Sequence, residues 1–178
     1  VNSGEALVLT GPNGSGKSSL LRLMAGLLPP ADGSLFRDGE DIRDAPEEHR
    51  SDLHYVGHQD AVKPVLTVAE NLAFWAGIRA APSAIDNALE RLGLAALAET
   101  PARLLSAGQR RRLNLARLAA SPARLWLLDE PTTALDADAS ASFGATIEAH
   151  RQAGGMAVIS THTDLGLSDV RNLNLSPS

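Results

Sequence analysis

The sequence predicts an α/β fold in which a parallel sheet is flanked by helices and a small helical subdomain is inserted. Three observations carry this. The apolar run ALVLT over residues 6–10 feeds directly into a glycine-rich segment and then a helical pattern, the order of a buried strand, a loop and a helix. Two more short apolar runs, 125–128 and MAVIST at 156–161, read as buried strands with helical sequence between them. Separating the two halves is an Ala- and Leu-rich stretch with helix caps, from about 65 to 120.

At 178 residues the chain is expected to be one domain, with 1–64 and 121–178 forming the α/β core and about 65–120 the helical subdomain. A hydrophobic fraction of 44% and a charged fraction of 21% are ordinary for a soluble globular protein. The net charge of −5 argues against nucleic acid as the partner. Without cysteine there is no disulfide framework and no thiolate metal site. The first residues, VNSGE, lack the charged and apolar regions of a signal peptide. The longest apolar runs fall far short of the roughly 18–20 residues of a membrane span, so any membrane role is expected to come through a partner chain.

The helix after the glycine-rich loop is predicted to run from Lys17 to about 28, where Pro29-Pro30 stops it. Residues 33–41 place Gly and Asp at turn positions and predict a hairpin. A strand follows over 53–57. Thr67 is placed to cap a helix over 68–77, with Glu70 at its third position completing a capping box. Ser83 is placed to cap another, in which Ile85, Ala88, Leu89 and Leu92 fall on one face and which Gly93 ends. From Asp169 onwards the sequence is polar and predicts no element.

Gly11-Pro12-Asn13-Gly14-Ser15-Gly16-Lys17-Ser18 matches G-x-x-x-x-G-K-[ST] at every fixed position, between a strand and a helix. The glycines let the backbone wrap around phosphates. Backbone N–H groups and the positive end of the helix then face the anion. Lys17 adds a cation for the β- and γ-phosphates, Ser18 offers a hydroxyl to Mg²⁺, and Ser19 completes the set. The expected cofactors are ATP and Mg²⁺. A plain glycine turn before a helix is disfavoured by the full match in this context. The P-loop alone leaves kinases, GTPases, AAA-type motors and ABC ATPases open.

Leu125-Trp126-Leu127-Leu128-Asp129-Glu130 is an apolar strand that ends in two acids. A strand buried on both faces rarely ends so abruptly without a cation nearby. Asp129 is placed to hold Mg²⁺ through its water shell, and Glu130 to polarise the attacking water as a general base. A solvated strand end is the alternative, which the neighbouring P-loop disfavours.

Leu105-Ser106-Ala107-Gly108-Gln109 opens a helix that continues RRRLNLARLAA. Ser106 is a natural N-cap, but a cap explains neither Gly108 nor Gln109. Here the sequence resembles the ABC ATPase family, whose signature usually reads LSGGQ and here reads LSAGQ, Ala107 being the departure. The resemblance implies that Ser106, Gly108 and Gln109 face the γ-phosphate held by an opposite protomer, and hence a homodimer with ATP at its interface. It implies that Gln59, after the 53–57 strand, senses Mg²⁺ and faces a membrane partner. It also implies that Asp136, in Ala134-Leu135-Asp136, crosses the dimer interface, and that His162, just after MAVIST, contacts the γ-phosphate. A lone Gln or His is more often structural, and it is the order of the motifs that singles these two out. His49, His54, His58 and His150 have no partner at metal-ligand spacing and keep a structural reading.

The resemblance runs from Gly4 to about 167. A single P-loop and a short helical block resemble one transporter ATPase subunit. DNA-repair members insert long coiled coils, and translation-associated members carry two such domains. The passages GHQDAVKPVLTVAENLAFWAG, LSAGQRRRLNLARL and GGMAVISTHTDL are similar to the ATPase subunits of cytochrome c maturation, a haem-exporter branch. That branch implies ATP hydrolysis coupled to haem export or haem-chaperone release, with integral-membrane partner subunits. It implies a peripheral position on the cytoplasmic face of the inner membrane, while the acidic balance and the lack of a coiled coil predict no nucleic acid partner. Two alternatives stay open: the ATPase subunit of another small-substrate transporter, and a soluble P-loop kinase or regulator. In the family an antiparallel strand pair and an adenine-stacking aromatic precede the P-loop. These N-terminal antiparallel strands are expected to be partly missing, with one sheet edge unpaired. Base stacking is expected to be weaker by about 1 kcal/mol or more. Tyr55 and Trp126, both in predicted core strands, are poor substitutes.

Overall fold

A computed structural model describes residues 1–78 and 85–175. Along the chain run β1 (Ala6–Thr10), α1 (Lys17–Met24), β2 (Phe36–Arg37), β3 (Glu40–Asp41), α2 (Pro46–Ser51), β4 (Leu53–Val56) and α3 (Val68–Ile78). They are followed by α4 (Ile85–Arg91), α5 (Ala107–Ala120), β5 (Leu125–Asp129), α6 (Ala137–Gln152), β6 (Met156–Ser160) and β7 (Val170–Asn174). Two 3₁₀ turns, Ala95–Leu97 and Ala102–Leu104, lie between α4 and α5. The main sheet is parallel throughout, in the order β4-β5-β6-β1-β7.

Side chains alternate across this sheet, and both faces are covered. Leu9, Leu127 and Val158 pack with Leu21 and Ala25 from the α1 side. Trp126, Leu128, Ala157 and Ile159 pack on the opposite face with Leu113 and Leu115 of α5 and Phe143 and Ile147 of α6. Burial on both faces is why these strands read as continuous apolar runs. Each fully buried Leu or Ile here contributes roughly 1.5–3 kcal/mol relative to exposure.

Helices α3, α4 and α5 pack on one another. The Thr67–Glu70 capping box is present: the Glu70 amide donates to Thr67 Oγ1 (3.1 Å) and the Thr67 amide to Glu70 Oε2 (2.8 Å). Buried Asn71 pins the preceding loop, accepting from the Lys63 amide (2.8 Å) and donating to the Thr67 carbonyl (2.8 Å). Ala88 and Leu89 of α4 and Leu92 just after it are buried, and Gly93 closes the helix end with φ 64°. The amide of Leu94 then donates back to the Leu89 carbonyl (2.7 Å). Ser83, expected to cap α4, lies outside the described residues.

Several expectations are corrected. Helix α1 ends at Met24, not near 28, and the prolines do not stop it. Gly26 takes φ 65°, and the amides of Gly26 and Leu27 donate to the Leu23 and Arg22 carbonyls (3.0 and 2.9 Å). That closure completes the helix before Pro29-Pro30 is reached. The polar tail contains β7, which pairs in parallel with β1, Leu9 beside Leu173. Its side chains are mostly exposed, so pairing is carried by the backbone and leaves no apolar run to read. Strand β1 is therefore flanked by β6 and β7, and the sheet edges are β4 and β7. The hairpin is shorter than predicted, with Asp38 and Gly39 both at positive φ in a two-residue turn. Helix α2, with Pro46 in its first turn, was not anticipated.

Three histidines have structural partners. Nε2 of His49 donates to the Met24 carbonyl (2.7 Å), and Nε2 of His54 to the Ser121 carbonyl (2.6 Å). His150 stacks on Trp126 with centroids 3.8 Å apart and planes 4° from parallel. Burial holds the His150 pKa below the ordinary histidine value of 6.5. Above that value the ring is neutral folded and unfolded. Below it the unfolded chain takes up a proton that the folded one resists, so this group withdraws stability as pH falls through 6.5. His150→Phe, which keeps the stack, is therefore expected to lose less Tm than the parent between pH 7.5 and 5.5. An equal loss in both proteins would remove His150 as a source.

Candidate functional site

Because the main-sheet strands are parallel, their carboxyl ends share one edge. Register sets Leu9 beside Ser160, Ser160 beside Asp129, and Leu128 beside Val56. The segments leaving these ends carry the P-loop, His162, Glu130 and Gln59. Open α/β sheets bind ligands at this rim.

In the P-loop, Gly11, Gly14 and Gly16 hold φ of 135°, 85° and 95°. A Cβ on Gly11 would lie 2.3 Å from the Leu175 carbonyl oxygen, so glycine is required there by packing as well as by φ. Pro12, Asn13 and Gly14 are exposed at the loop tip. Gly16 gives α1 no side-chain cap, whereas Thr67, Ser106 and Asp136 each supply an oxygen to the helix they precede. The leading amides of α1 thus have no side-chain acceptor at the N-cap, as an anion site at a helix start requires. Lys17 is only 7% exposed, and its ammonium donates to the carbonyls of Gly11 (2.7 Å) and Pro12 (3.0 Å). That uses two of its three protons. Ser18 is half-buried and Ser19 exposed in the first turn of α1.

Asp129 is 2% exposed. Its Oδ1 accepts from Ser160 Oγ (2.6 Å), while Oδ2 is buried without a protein partner. Such an oxygen is costly unless a cation or its water reaches it. No cluster of three or more His, Cys, Asp or Glu able to hold a metal occurs among the described residues. The unpartnered carboxylate oxygen of Asp129 is the kind of hard donor that Mg²⁺ takes, directly or through water. Gln59 is exposed in the loop after β4.

Glu130 sits in the left-handed region at φ 48°, a conformation that costs about 1–3 kcal/mol and needs support. Its amide donates to the Ser160 carbonyl (3.0 Å) and Oγ (3.2 Å). Its Oε1 lies 3.5 Å from His162 Nε2. His162 is carried on a turn closed by the Thr163 amide donating to Thr161 Oγ1 (3.0 Å). An acceptor carboxylate and an imidazole thus meet beside the phosphate cradle, an arrangement able to orient a water.

The signature segment contacts a different neighbour. The Gln109 amide donates to Ser106 Oγ (3.2 Å) and the Ser106 amide to Gln109 Oε1 (2.8 Å). A capping box therefore accounts for Gln109, contrary to the sequence-based expectation. A Cβ on Gly108 would stand 3.0 Å from the Ala134 carbonyl oxygen, so close packing accounts for that glycine. Asp136 caps α6, accepting from the Ala139 amide (2.8 Å). The sequence reading missed Ser160 and Arg111. Ser160 is a polar residue closing the apolar run of β6. Arg111 shares a helix face with Leu115 and Leu118, both buried, and an arginine on an apolar stripe was the available signal.

Fold and site together define an ATP-binding, ATP-hydrolysing subunit of the ABC type. Residues 1–133 match the ABC transporter family, and the chain belongs to it. It is similar to the cytochrome c biogenesis ATP-binding export protein CcmA of Paramagnetospirillum magneticum, 56% identical over 180 residues, covering 98% of this chain and 83% of the relative. The protein of the same name from Rhodospirillum rubrum is 58% identical over 165 residues, covering 92% and 71%. Among solved structures, an ABC transporter ATP-binding protein from Pyrococcus furiosus superposes with a TM-score of 0.85 at 26% identity, covering 98% of this chain and 86% of that one.

Proposed function

We propose that the chain binds MgATP on its P-loop, closes head to tail with a second copy, and hydrolyses ATP with Glu130 as general base. The observation that carries this is the Glu130–His162 pair, 3.5 Å apart, on the same rim as the P-loop and the unpartnered oxygen of Asp129. In this reading Gly11 to Gly16 cradle the phosphates, Lys17 neutralises them, Ser18 and Ser19 contact them, and His162 steadies the γ-phosphate. Mg²⁺ would neutralise phosphate charge when bound; Ser18 would hold it by its hydroxyl and Asp129 through its water shell, with Gln59 sensing it. The close approach of Gly108 to the 134 carbonyl sets the signature beside the loop of Asp136. Ser106, Gly108, Gln109 and Asp136 then face a second protomer together. The test is the solution mass of Glu130→Gln with and without MgATP. A dimer that forms only with ATP supports the reading, and a monomer that has ATP bound overturns closure by this chain alone.

Among the described residues no helix is long and apolar enough to cross a membrane. Val65, Phe74 and Leu104 are exposed on the helical subdomain, where the Ala102 and Arg103 amides pair with the Leu66 and Pro64 carbonyls (2.9 and 3.0 Å). This apolar surface follows the Gln59 loop and supports docking of integral-membrane subunits from the cytoplasmic side of the inner membrane. The named relatives support cytochrome c maturation as the process served, with haem export or release of a haem-loaded chaperone as the step driven.

A further inference from the structure

We infer that Arg111 is a positioning residue for Glu130, tying the backbone that carries this carboxylate to the loop that carries Gln59. Arg111 is 3% exposed. Its Nε donates to the Pro131 carbonyl (2.9 Å). Nη1 donates to the Gly57 carbonyl (3.2 Å) and Asp60 Oδ1 (2.9 Å). Nη2 donates to the carbonyls of Asp129 (3.2 Å) and Glu130 (2.7 Å). A guanidinium has five N–H donors in a fixed plane, and each is used here. Asp60 also accepts from Asn114 Nδ2 (3.1 Å), and Asn114 Oδ1 accepts from the Ala61 amide (3.3 Å).

Three chain segments therefore meet at one side chain of α5: the 57–61 loop, the 129–131 peptide and the helix behind the signature. The peptide it holds is the one at which Glu130 turns to positive φ. Carbonyls turned out of the sheet ladder and buried need donors, and Arg111 supplies them. Its neighbour Arg117 is a useful contrast. That side chain donates to the Tyr55 carbonyl, lies over the Trp75 ring at 4.5 Å, and has a buried Nε without a partner. Burial, reinforced by the Arg111 cation, lowers its pKa to about 10. A buried arginine on α5 is thus not saturated as a matter of course. Lysine in place of Arg111 keeps the charge and loses the planar fork.

The inference rests on Glu130 being the general base, and the experiment separates the two. Arg111→Lys, Glu130→Gln and the double variant are compared by kcat, by equilibrium ATP affinity, and by amide hydrogen exchange over 57–61 and 129–133. Arg111→Lys is expected to lower kcat about tenfold or more, the scale of a misplaced catalytic group, with ATP affinity changed less than about threefold. Exchange should rise in both segments together while β1 is unchanged, and the double variant should be no slower than Glu130→Gln. A kcat within about twofold of the parent overturns the inference. So does loss of ATP binding with exchange raised throughout, which marks a merely structural residue, and so does a full further loss in the double variant. If Glu130→Gln keeps parental turnover, the general-base reading falls. The paired rise in exchange then sustains the tie between the two segments, and its absence overturns it.

Discussion

Glu130→Gln is expected to lower ATP turnover about 10²–10⁴-fold while leaving ATP affinity within a few-fold, the loss typical of removing a positioned base. The substitution is nearly isosteric, and the supports of residue 130 come from its backbone. Its amide still donates to Ser160, and its carbonyl still accepts from Arg111. What disappears is the ability to take a proton from water. Phosphate release and equilibrium nucleotide binding, measured on one preparation, separate the two effects. Unchanged turnover would remove Glu130 from its role, and a matching fall in affinity would make it a ground-state contact instead.

Lys17→Ala is expected to raise the ATP dissociation constant about 10–100-fold, as loss of a charge-assisted hydrogen bond of about 1.5–3 kcal/mol implies. Turnover should fall below detection. The loss is compounded because the same ammonium bridges the Gly11 and Pro12 carbonyls, so the loop that presents the amides slackens as the cation leaves. Calorimetric titration with ATP checks the affinity. In cells whose only copy carries this change, covalent c-type cytochromes should be lost and b-type cytochromes retained. Affinity within threefold of the parent would overturn the assignment, and normal c-type cytochromes would overturn the proposed process.

The parts of the site that were legible in the sequence share a physical character. The P-loop, the acids at the end of β5 and the histidine after β6 are each a local run in which an apolar strand gives way abruptly to glycine or polar residues. Contacts made between distant segments were not legible. Arg111 joins residues more than fifty positions away, such as Asp60, to a peptide downstream, and only its place on an apolar helix face hinted at this. Strand β7 pairs mainly through its backbone, with only Val170 packed against the core, so its mostly exposed side chains carry little trace of it. The end of α1 was misplaced because the nearby prolines masked Gly26, whose positive φ had already closed the helix.

The difference between the start of α1 and those of α3, α5 and α6 has a thermodynamic consequence. In each of those three helices a side-chain oxygen of the chain accepts one leading amide, whereas α1, like the short α2, has no such cap. Under the proposed function, nucleotide phosphate would complete the start of α1 while serving as substrate. A ligand bound only by the folded form adds about 2.7 kcal/mol when present at a hundred times its dissociation constant. That is a large part of a small domain's margin against unfolding. If phosphate binds there as proposed, the folded chain is stabilised by ATP, and its Tm is expected to rise with ATP concentration.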